Sequence, residues 1–507
     1  MTRREIIRSG AWLALAVPSP FASRLVAAPR FTADPFLSGV ASGDPTSTGV
    51  VLWTRLLPDP SRAASWQREN VEVLWEIAED ESMRRIVRRG RELATPELGH
   101  SVHATPEGLQ PGRWYWYRFL AGGHSSPIGR TRTAPQSSIL RLRFAFASCQ
   151  HFEAGFYTPY RHTNAEDLDL IIHLGDYIYE GPERTTGVRR HTGAEIKTLN
   201  DYRNRYALYR TDPGLREAHR LFPWIVTWDD HEVDNNYAGD IPEDKQTRQE
   251  FLERRANAYQ AYYEAMPLRR SSLPSGSSMQ LYRRLSFGPL AEFFVLDTRQ
   301  YRTDQPCGDG NKPPCPEMTA PDQTMFGPAQ EKWLMDGLST SKAQWNILCN
   351  QVMMAKIDRR AGDDELYPMD QWSGYETARL RFMRFLAQSK PSNPVVVTGD
   401  VHSSWVCDLR ERFRDASSPV VATEFTGTSI SSGGDGLDMP PTVAAYLSDN
   451  PQVKFHNAQR GYVSCELNSK IMTARYPVVD RVTVPQSPIR IRASFTVESG
   501  RPGARKS

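Results

Sequence analysis

The chain carries short apolar runs that each stop abruptly at a polar or charged residue. The runs are 144–147, 168–174, 224–228 and 394–398, and they are followed by the sequences SCQ, GDYIYE, DDHE and GDVH. Runs of this kind are typical of buried parallel strands, and open α/β sheets place their chemistry at the carboxyl ends of such strands. The pattern therefore predicts one crevice that collects thiol, carboxylate, phenol and imidazole groups, which we interpret as a metal site.

The spacing of apolar residues divides the chain into two regions. Residues 36–135 contain strand-like runs separated by turns, at 49–55, 71–77 and 114–119, and no long amphipathic helix. This pattern predicts a small antiparallel β-sandwich domain. From 141 to 498, strands alternate with helical stretches, which predicts a layered α/β domain.

Further elements of the second region follow from the same patterns. Helices are predicted at 246–266, 328–338 and 375–388, and strands at 292–296, 345–348, 461–467, 471–476 and 489–497. The Gly/Ser-rich segment 426–436 is expected to be a mobile loop. Residues 499–507 are expected to form a frayed basic tail.

The composition excludes some classes of partner. The 507 residues include 62 basic and 59 acidic side chains, a formal net charge of +3. This small net charge does not indicate binding to nucleic acid or to a membrane surface. No membrane span is predicted after the amino terminus. We expect a monomer that acts on small molecules.

The first 29 residues are predicted to be an export signal. Arg3 and Arg4 give a basic start, and 11–17 is a short apolar run. Residues 25–28 end the segment with small residues of the kind found before a cleavage site. The paired arginines resemble a twin-arginine signal, which implies the matching export machinery. The mature protein would start near Ala28 and work in the periplasm or outside the cell, whereas an ordinary basic amphipathic helix is the alternative.

The cysteines are too few for a disulfide scaffold, so the fold must rest on its core. Cys307 and Cys315 bracket a turn-rich loop that an oxidising compartment would let them bridge. The cysteines in apolar runs, Cys349, Cys407 and Cys465, are interpreted as small buried side chains.

Six blocks carry a resemblance to a known family. They are FASCQ, HLGDYIYE, TWDDHEVDNN, LDTRQYR, NQVMM and TGDVHSS, in this order. The chain resembles the alkaline phosphatase D (PhoD-like) family, a branch of the metallophosphoesterases that is related to purple acid phosphatases. The resemblance implies a layered metallophosphoesterase β-sandwich flanked by helices. Before it, the run 109–112 ahead of Tyr115 and Tyr117 is similar to fibronectin type III domains, so the small all-β domain is expected to be fibronectin type III- or Ig-like.

The resemblance implies ferric iron with calcium. By analogy with purple acid phosphatases, Asp176 bridges the metals and Tyr179 is an iron ligand, with Tyr177 as the local alternative. A phenolate is a hard anionic ligand that favours trivalent iron over zinc. Cys149 ends a strand where related families present an aspartate, so it is a predicted iron ligand; a core thiol and a disulfide partner are the alternatives.

The divalent subsite is predicted from substitutions relative to those families. Asp230 and Asp400 stand where the related enzymes carry asparagine and histidine, and His402 completes the last block. Carboxylates in place of neutral or imidazole ligands favour a hard ion such as calcium. Asp229, the neighbour of Asp230, is interpreted as a loop-capping carboxylate.

The predicted reaction is hydrolysis of phosphate monoesters and diesters through attack by a metal-bound hydroxide. His231 is the candidate general acid, with a buried structural histidine as the alternative. The candidates for substrate contacts are Asn235, Arg299 and Asn350. The rival functions are a phospholipase D-type phosphodiesterase on the same site, a serine-dependent phosphatase and a secreted calcium-binding module without catalysis.

Overall fold

The computed structural model describes residues 31–57, 66, 68–415 and 417–507. The predicted export signal therefore lies outside the described residues. Within the part that is described, no helix is long and apolar enough to cross a membrane.

The amino-terminal region is all β, as predicted. Its strands are β1 (Val40–Gly43), β2 (Val51–Arg55), β3 (Val71–Ala78), β4 (Ile86–Ala94), β5 (Ser101–Ala104), β6 (Trp114–Ala121), β7 (His124–Ser125) and β8 (Gly129–Arg132). In β6, Tyr115, Tyr117 and Phe119 are buried while the residues between them are partly exposed, the period of two expected of a strand that covers a core.

The amino-terminal strands belong to two different sheets. Strands β4-β3-β6-β7 form one sheet, with β8 paired to β6. In contrast, β1, β2 and β5 extend a sheet of the second region, because β1 pairs in parallel with a strand of that region. The amino-terminal region is thus joined to the second region by main-chain hydrogen bonds.

The second region contains two large sheets. Its strands are β9 (Leu142–Ala147), β10 (Leu170–His173), β11 (Pro223–Val226), β12 (Arg283–Phe287), β13 (Ala291–Val295), β14 (Asn311–Lys312), β15 (Trp345–Cys349), β16 (Tyr367–Pro368), β17 (Pro394–Thr398), β18 (Ser404–Arg410), β19 (Val420–Thr426), β20 (Gly436–Leu437), β21 (Val453–Gln459), β22 (Val463–Leu467), β23 (Ile471–Val479), β24 (Ile489–Glu498) and β25 (Arg501–Lys506). The ten-stranded sheet has the order β25-β24-β23-β22-β9-β10-β11-β1-β2-β5, and the eight-stranded sheet has the order β12-β13-β15-β17-β19-β18-β21-β20.

The two sheets pack face to face. Phe144 of β9 and Phe293 of β13 meet with ring centroids 5.5 Å apart, within an apolar layer contributed by both sheets. In each sheet the central strands run parallel: β9, β10 and β11 in one, and β13, β15, β17 and β19 in the other. Their carboxyl ends therefore open toward one edge of the sandwich.

Helices cover the outer faces of the sandwich. They are α1 (Thr158–Thr163), α2 (Leu199–Tyr209), α3 (Pro213–Leu221), α4 (Arg248–Ala265), α5 (Gly327–Thr340), α6 (Glu376–Ser389) and α7 (Pro441–Leu447). The three helices predicted from the sequence correspond to α4, α5 and α6. Helix α4 begins at a capping box, in which Thr247 and Glu250 satisfy each other's backbone N–H groups.

Two expectations about mobile segments are wrong. The predicted tail forms β25, which pairs with β24 and so adds an edge strand to the large sheet. The predicted mobile loop is buried from Thr426 to Ser432, and the N–H of Ile430 donates to the Ser148 carbonyl at 3.0 Å. Its small residues allow close packing against the strand ends.

The cysteines lie where the sequence predicts. Cys307 and Cys315 form a disulfide bond, and the thiols of Cys349, Cys407 and Cys465 are free and buried. The thiol of Cys149 is also free and buried, which excludes the disulfide alternative for this residue in the structure.

Candidate metal centre and active site

The predicted metal ligands lie on loops that follow β9, β10, β11 and β17. Several of them have a left-handed backbone: φ is 58° at Cys149, 56° at Asp176, 65° at Asp400 and 52° at His402. A non-glycine residue in this region costs on the order of 1 kcal/mol or more, and such strain gathers at functional sites. The left-handed conformation shared by these residues indicates that the loops are shaped to direct their side chains into the site.

The loops approach one another closely because glycine precedes two of the ligands. A Cβ at Gly175 would lie 2.4 Å from the backbone nitrogen of Asp229, and a Cβ at Gly399 would lie 2.4 Å from the Ser148 hydroxyl. Gly175 also has φ of 113°, which side chains rarely adopt. In both Gly-Asp pairs, the glycine allows the loops to approach each other and the aspartate supplies the carboxylate.

One group of donor atoms gathers around Asp176. Potential ligand atoms of Cys149, Asp176 and His402 lie within 4.8 Å of one another. The Tyr179 hydroxyl donates to Asp176 Oδ2 at 2.7 Å and lies 3.2 Å from His402 Nε2. Thiol, carboxyl, phenol and imidazole thus converge on one point, as the sequence predicts.

Tyr177, the local alternative to Tyr179, faces away from this group. Its hydroxyl lies 2.9 Å from His219 Nε2, inside the core. Tyr179 is held in place by Ser432, whose hydroxyl donates to the phenol oxygen at 2.7 Å. Ser432 was not foreseen, because the segment that carries it gave only a loop signal.

The electrostatics of this group favour a bound cation. Burial raises the pKa of the Cys149 thiol and of the Tyr179 phenol well above their ordinary values, and the Asp176 carboxylate raises both further. Burial also raises the pKa of Asp176 well above its ordinary value. A bound cation reverses this trend because it stabilises the anionic forms; a coordinating thiol is deprotonated outright.

A second group consists of carboxylates around the Arg299 guanidinium. Its members are Asp229, Asp230, Asp370 and Asp400, whose oxygens lie 2.5, 3.6, 2.8 and 3.6 Å from guanidinium nitrogens of Arg299. Arg302 also pairs with Asp370, at 2.6 Å. Burial raises the pKa of Asp229 and Asp400 above their ordinary values. When all four carboxylates are ionised, two guanidinium groups leave two negative charges, a total that one divalent cation would neutralise.

Carboxylate oxygens that accept no hydrogen bond support this assignment. Among the described residues, the buried atoms Asp176 Oδ1, Asp229 Oδ2 and Asp230 Oδ1 have no hydrogen-bond partner. A buried carboxylate oxygen without a partner is costly unless a cation takes the place of the donor. The residues present therefore fit hard cations, and Asp229 belongs to the carboxylate group rather than being an isolated loop cap.

The candidate substrate contacts differ in their placement. Asn235 is partly exposed, and its backbone N–H donates to Glu180 at 3.0 Å. Arg299 has no exposed surface, and Asn350 is buried with its amide donating to the Val352 carbonyl. This placement does not support direct substrate contact by Arg299 or Asn350, because both side chains are buried among protein groups.

His231 lies at the mouth of the site with a carboxylate partner. Its Nδ1 is 2.8 Å from Glu180 Oε2, its ring lies against Tyr179 with centroids 4.1 Å apart, and its side chain is 20% exposed. Burial alone would lower the pKa of His231, but the carboxylates of Glu180 and Asp230 outweigh burial and raise it well above its ordinary value. Glu180 was not predicted, although it directly follows Tyr179 in the sequence.

Glu232 connects two of the ligand loops. Its carboxylate accepts from the backbone N–H groups of Asp176 at 3.1 Å, Tyr177 at 2.5 Å and Asp229 at 2.8 Å. Burial raises the pKa of Glu232 to about 7. Glu232 is the last residue of the DDHE sequence that follows the run 224–228, yet no role is predicted for it from the sequence. Asp370 follows none of the apolar runs, so the pattern gave no signal for it.

Comparisons with known proteins place this site in a family. A family model described as PhoD-like phosphatase matches residues 144–476, and one described as PhoD-like phosphatase, N-terminal domain, matches residues 21–135. The chain is 50% identical to alkaline phosphatase D of Bacillus subtilis (strain 168) over 487 residues, which are 95% of this chain and 84% of that protein. A solved structure of PhoD matches with a TM-score of 0.92 and 50% identity, covering 94% of this chain and 93% of that one.

Fold, site and relatives together define a metal-dependent hydrolase of phosphoric esters. The chain belongs to the PhoD-like phosphatase family. This membership confirms the resemblance drawn from the six sequence blocks, the layered α/β fold class with a small β domain before it, and the predicted activity of a phosphatase or phosphodiesterase.

Proposed function

We propose that this chain is an exported enzyme that hydrolyses phosphate monoesters and diesters with ferric iron and calcium. The convergence of Cys149, Asp176, Tyr179 and His402 carries the proposal. A thiolate and a phenolate are anionic ligands suited to a trivalent iron. A zinc site would be expected to contain more histidine ligands than this one.

The neighbouring carboxylates would hold calcium. Asp230 and Asp400 offer hard oxygens, and calcium takes six to eight such ligands in flexible geometry. Asp176 groups with Cys149 and His402 on one side and with Asp230 and His231 on the other. This double membership supports Asp176 as the ligand shared between the two ions.

The bound ions would supply an activated water and neutralise the phosphoryl oxygens. The protein's own acid is His231. Because its Nδ1 contacts Glu180, its Nε2–H is the group that can protonate the departing alkoxide. Asn235, which is partly exposed and whose backbone N–H donates to the same glutamate, would orient the substrate through its side chain, whose amide donates to Glu243.

Export is supported by two independent features. The segment before residue 30 has the composition of a twin-arginine signal, and the bond between Cys307 and Cys315 is of a kind that persists in oxidising compartments. Replacing both Arg3 and Arg4 by lysine should leave the protein in the cytoplasmic fraction. Unchanged export of this variant would contradict the twin-arginine assignment.

The activity is tested by pairing metal analysis with two substrates. The purified protein should contain iron and calcium and should hydrolyse 4-nitrophenyl phosphate and bis(4-nitrophenyl) phosphate. Chelation of calcium should abolish both activities, and added calcium should restore them better than zinc. Iron-free protein with full activity, or better recovery with zinc, would contradict the proposed metals.

A further inference from the structure

The disulfide-bridged loop, residues 307–315, lies against the segment that carries Asp370. Asn311 and Lys312 pair in antiparallel fashion with Pro368 and Tyr367. The pairing continues where the N–H of Met369 donates to the Gly310 carbonyl at 2.8 Å. The bridged loop thus fixes the backbone of the residues directly before Asp370.

That segment reaches two parts of the carboxylate group. Asp370 accepts hydrogen bonds from Arg299 at 2.8 Å and from Arg302 at 2.6 Å. The next residue, Gln371, donates to Asp400 Oδ2 at 2.5 Å and accepts from the Met353 N–H at 2.5 Å. The orientation of the Asp400 carboxylate therefore depends on where this segment lies.

A second contact joins the bridged loop to the other predicted calcium ligand. Asp309, inside the loop, accepts from the Asn236 side-chain amide at 2.9 Å. Asn236 has a left-handed backbone, with φ of 49°, and its N–H donates to Asp230 Oδ2 at 2.7 Å. Asp309 thereby holds the strained residue that orients the Asp230 carboxylate.

Apart from these contacts and a hydrogen bond that the Arg359 guanidinium donates to Asn311 Oδ1 at 3.2 Å, the loop has few polar anchors among the described residues. Most of its residues are exposed, and it contains glycine at 308 and 310 and proline at 313 and 314. Its apolar contacts are made by the two cysteines against the small cluster of Met318, Tyr367 and Met369. A loop of this composition samples many conformations when it is not bridged.

We propose that the bridged loop, through Asp309 and the Cys307–Cys315 bond, is a positioning element for the divalent-cation subsite formed by Asp230 and Asp400. The proposal rests on the proposed function, because it takes calcium as the ion of that subsite. None of the contacts described for the group around Cys149 involves the loop. Removing the disulfide bond or the Asp309 carboxylate should therefore weaken calcium binding and leave iron in place. Groups that orient metal ligands typically contribute about 10- to 100-fold to metal affinity.

The test measures calcium and iron separately in the same preparations. Calcium dissociation constants are obtained by calorimetry on chelated protein, and iron per chain by elemental analysis. The double variant Cys307→Ser/Cys315→Ser should bind calcium about tenfold or more weakly than the original chain, with unchanged iron content. Serines are used instead of a thiol reductant, because a thiol reagent would compete with Cys149 for metal.

Single-residue variants separate positioning from folding. Asp309→Ala, with the bond intact, should weaken calcium binding in the same direction. Asp309→Asn keeps an oxygen for the Asn236 amide and should bind calcium nearly as well as the original chain. Glu317→Gln, an exposed carboxylate just past the loop, is the matched control and should change nothing.

The outcomes are distinguishable. Unchanged calcium affinity in both the double variant and Asp309→Ala would overturn the proposal. Equal loss of iron and calcium would also overturn it, because the loop would then act on the whole fold. Failure of the original chain itself to bind calcium would overturn the proposed metals, independently of the loop.

Discussion

Replacing Glu232 by glutamine is a sharp test of how the ligand loops are held. The glutamate offers two oxygens to three backbone N–H groups, those of Asp176, Tyr177 and Asp229. Glutamine offers one oxygen, and its amide NH₂ must face at least one of these donors. In the better orientation the oxygen keeps Asp176 and Asp229, and the N–H of Tyr177 is left without an acceptor.

The cost follows from this count. Leaving one buried donor unsatisfied costs about 1–3 kcal/mol. We therefore expect Glu232→Gln to lower the free energy of unfolding of metal-free protein by about 2 kcal/mol. Because Asp176 is the shared ligand of the proposed centre, metal affinity should fall by roughly 10- to 100-fold.

Denaturant unfolding of metal-free protein and elemental analysis of loaded protein provide the two measurements. Glu253→Gln removes the same charge from an exposed position on α4 and serves as the control. Unfolding free energy and metal content equal to those of the original chain would refute the argument, because three buried donors cannot lose an acceptor without cost.

Three further predictions concern the acid, the divalent subsite and pH. His231→Asn should lower kcat by about 10²–10⁴ at unchanged metal content; a smaller loss in steady-state assays would contradict its role as the acid. Asp400→Asn should raise the calcium concentration needed for half activity without changing iron per chain, and loss of iron instead would count against the assignment. Burial lowers the pKa of His103 to about 4, so the unfolded chain binds the proton first as pH falls. Stability should therefore drop by about 1 kcal/mol between pH 6.5 and 5.5 on account of this group. His103→Phe should reduce the change in unfolding free energy between pH 6.5 and 5.5. An unchanged dependence of the unfolding free energy on pH would refute this prediction.

The sequence predicts the strand ends because burial on both faces leaves a distinct pattern. An apolar run such as 394–398 ends where the chain leaves the core, and the polar residue at that point must lie at the sheet edge. Parallel strands bring several such points together. For this reason the positions of Cys149, Asp176 and Asp400 follow from local sequence.

Other parts of the site depend on contacts that local sequence does not encode. Asp370 reaches the carboxylates from a loop, and Glu232 acts on backbone N–H groups of two loops at once. Arg299 is surrounded by four carboxylates that come from three separate segments of the chain. In the same way, β1 joins the large sheet through a pairing with β11 that lies far away in sequence.

The iron content of Cys149→Ala tests the central claim most directly. Cys149 lies on the loop after β9, with a strained backbone and a buried thiol beside Asp176 and His402, an arrangement that a core residue does not need. We predict that purified Cys149→Ala folds, contains little iron and loses most of its activity, and that Cys149→Asp recovers part of both. Iron per chain and turnover equal to those of the original protein in Cys149→Ala would contradict this prediction.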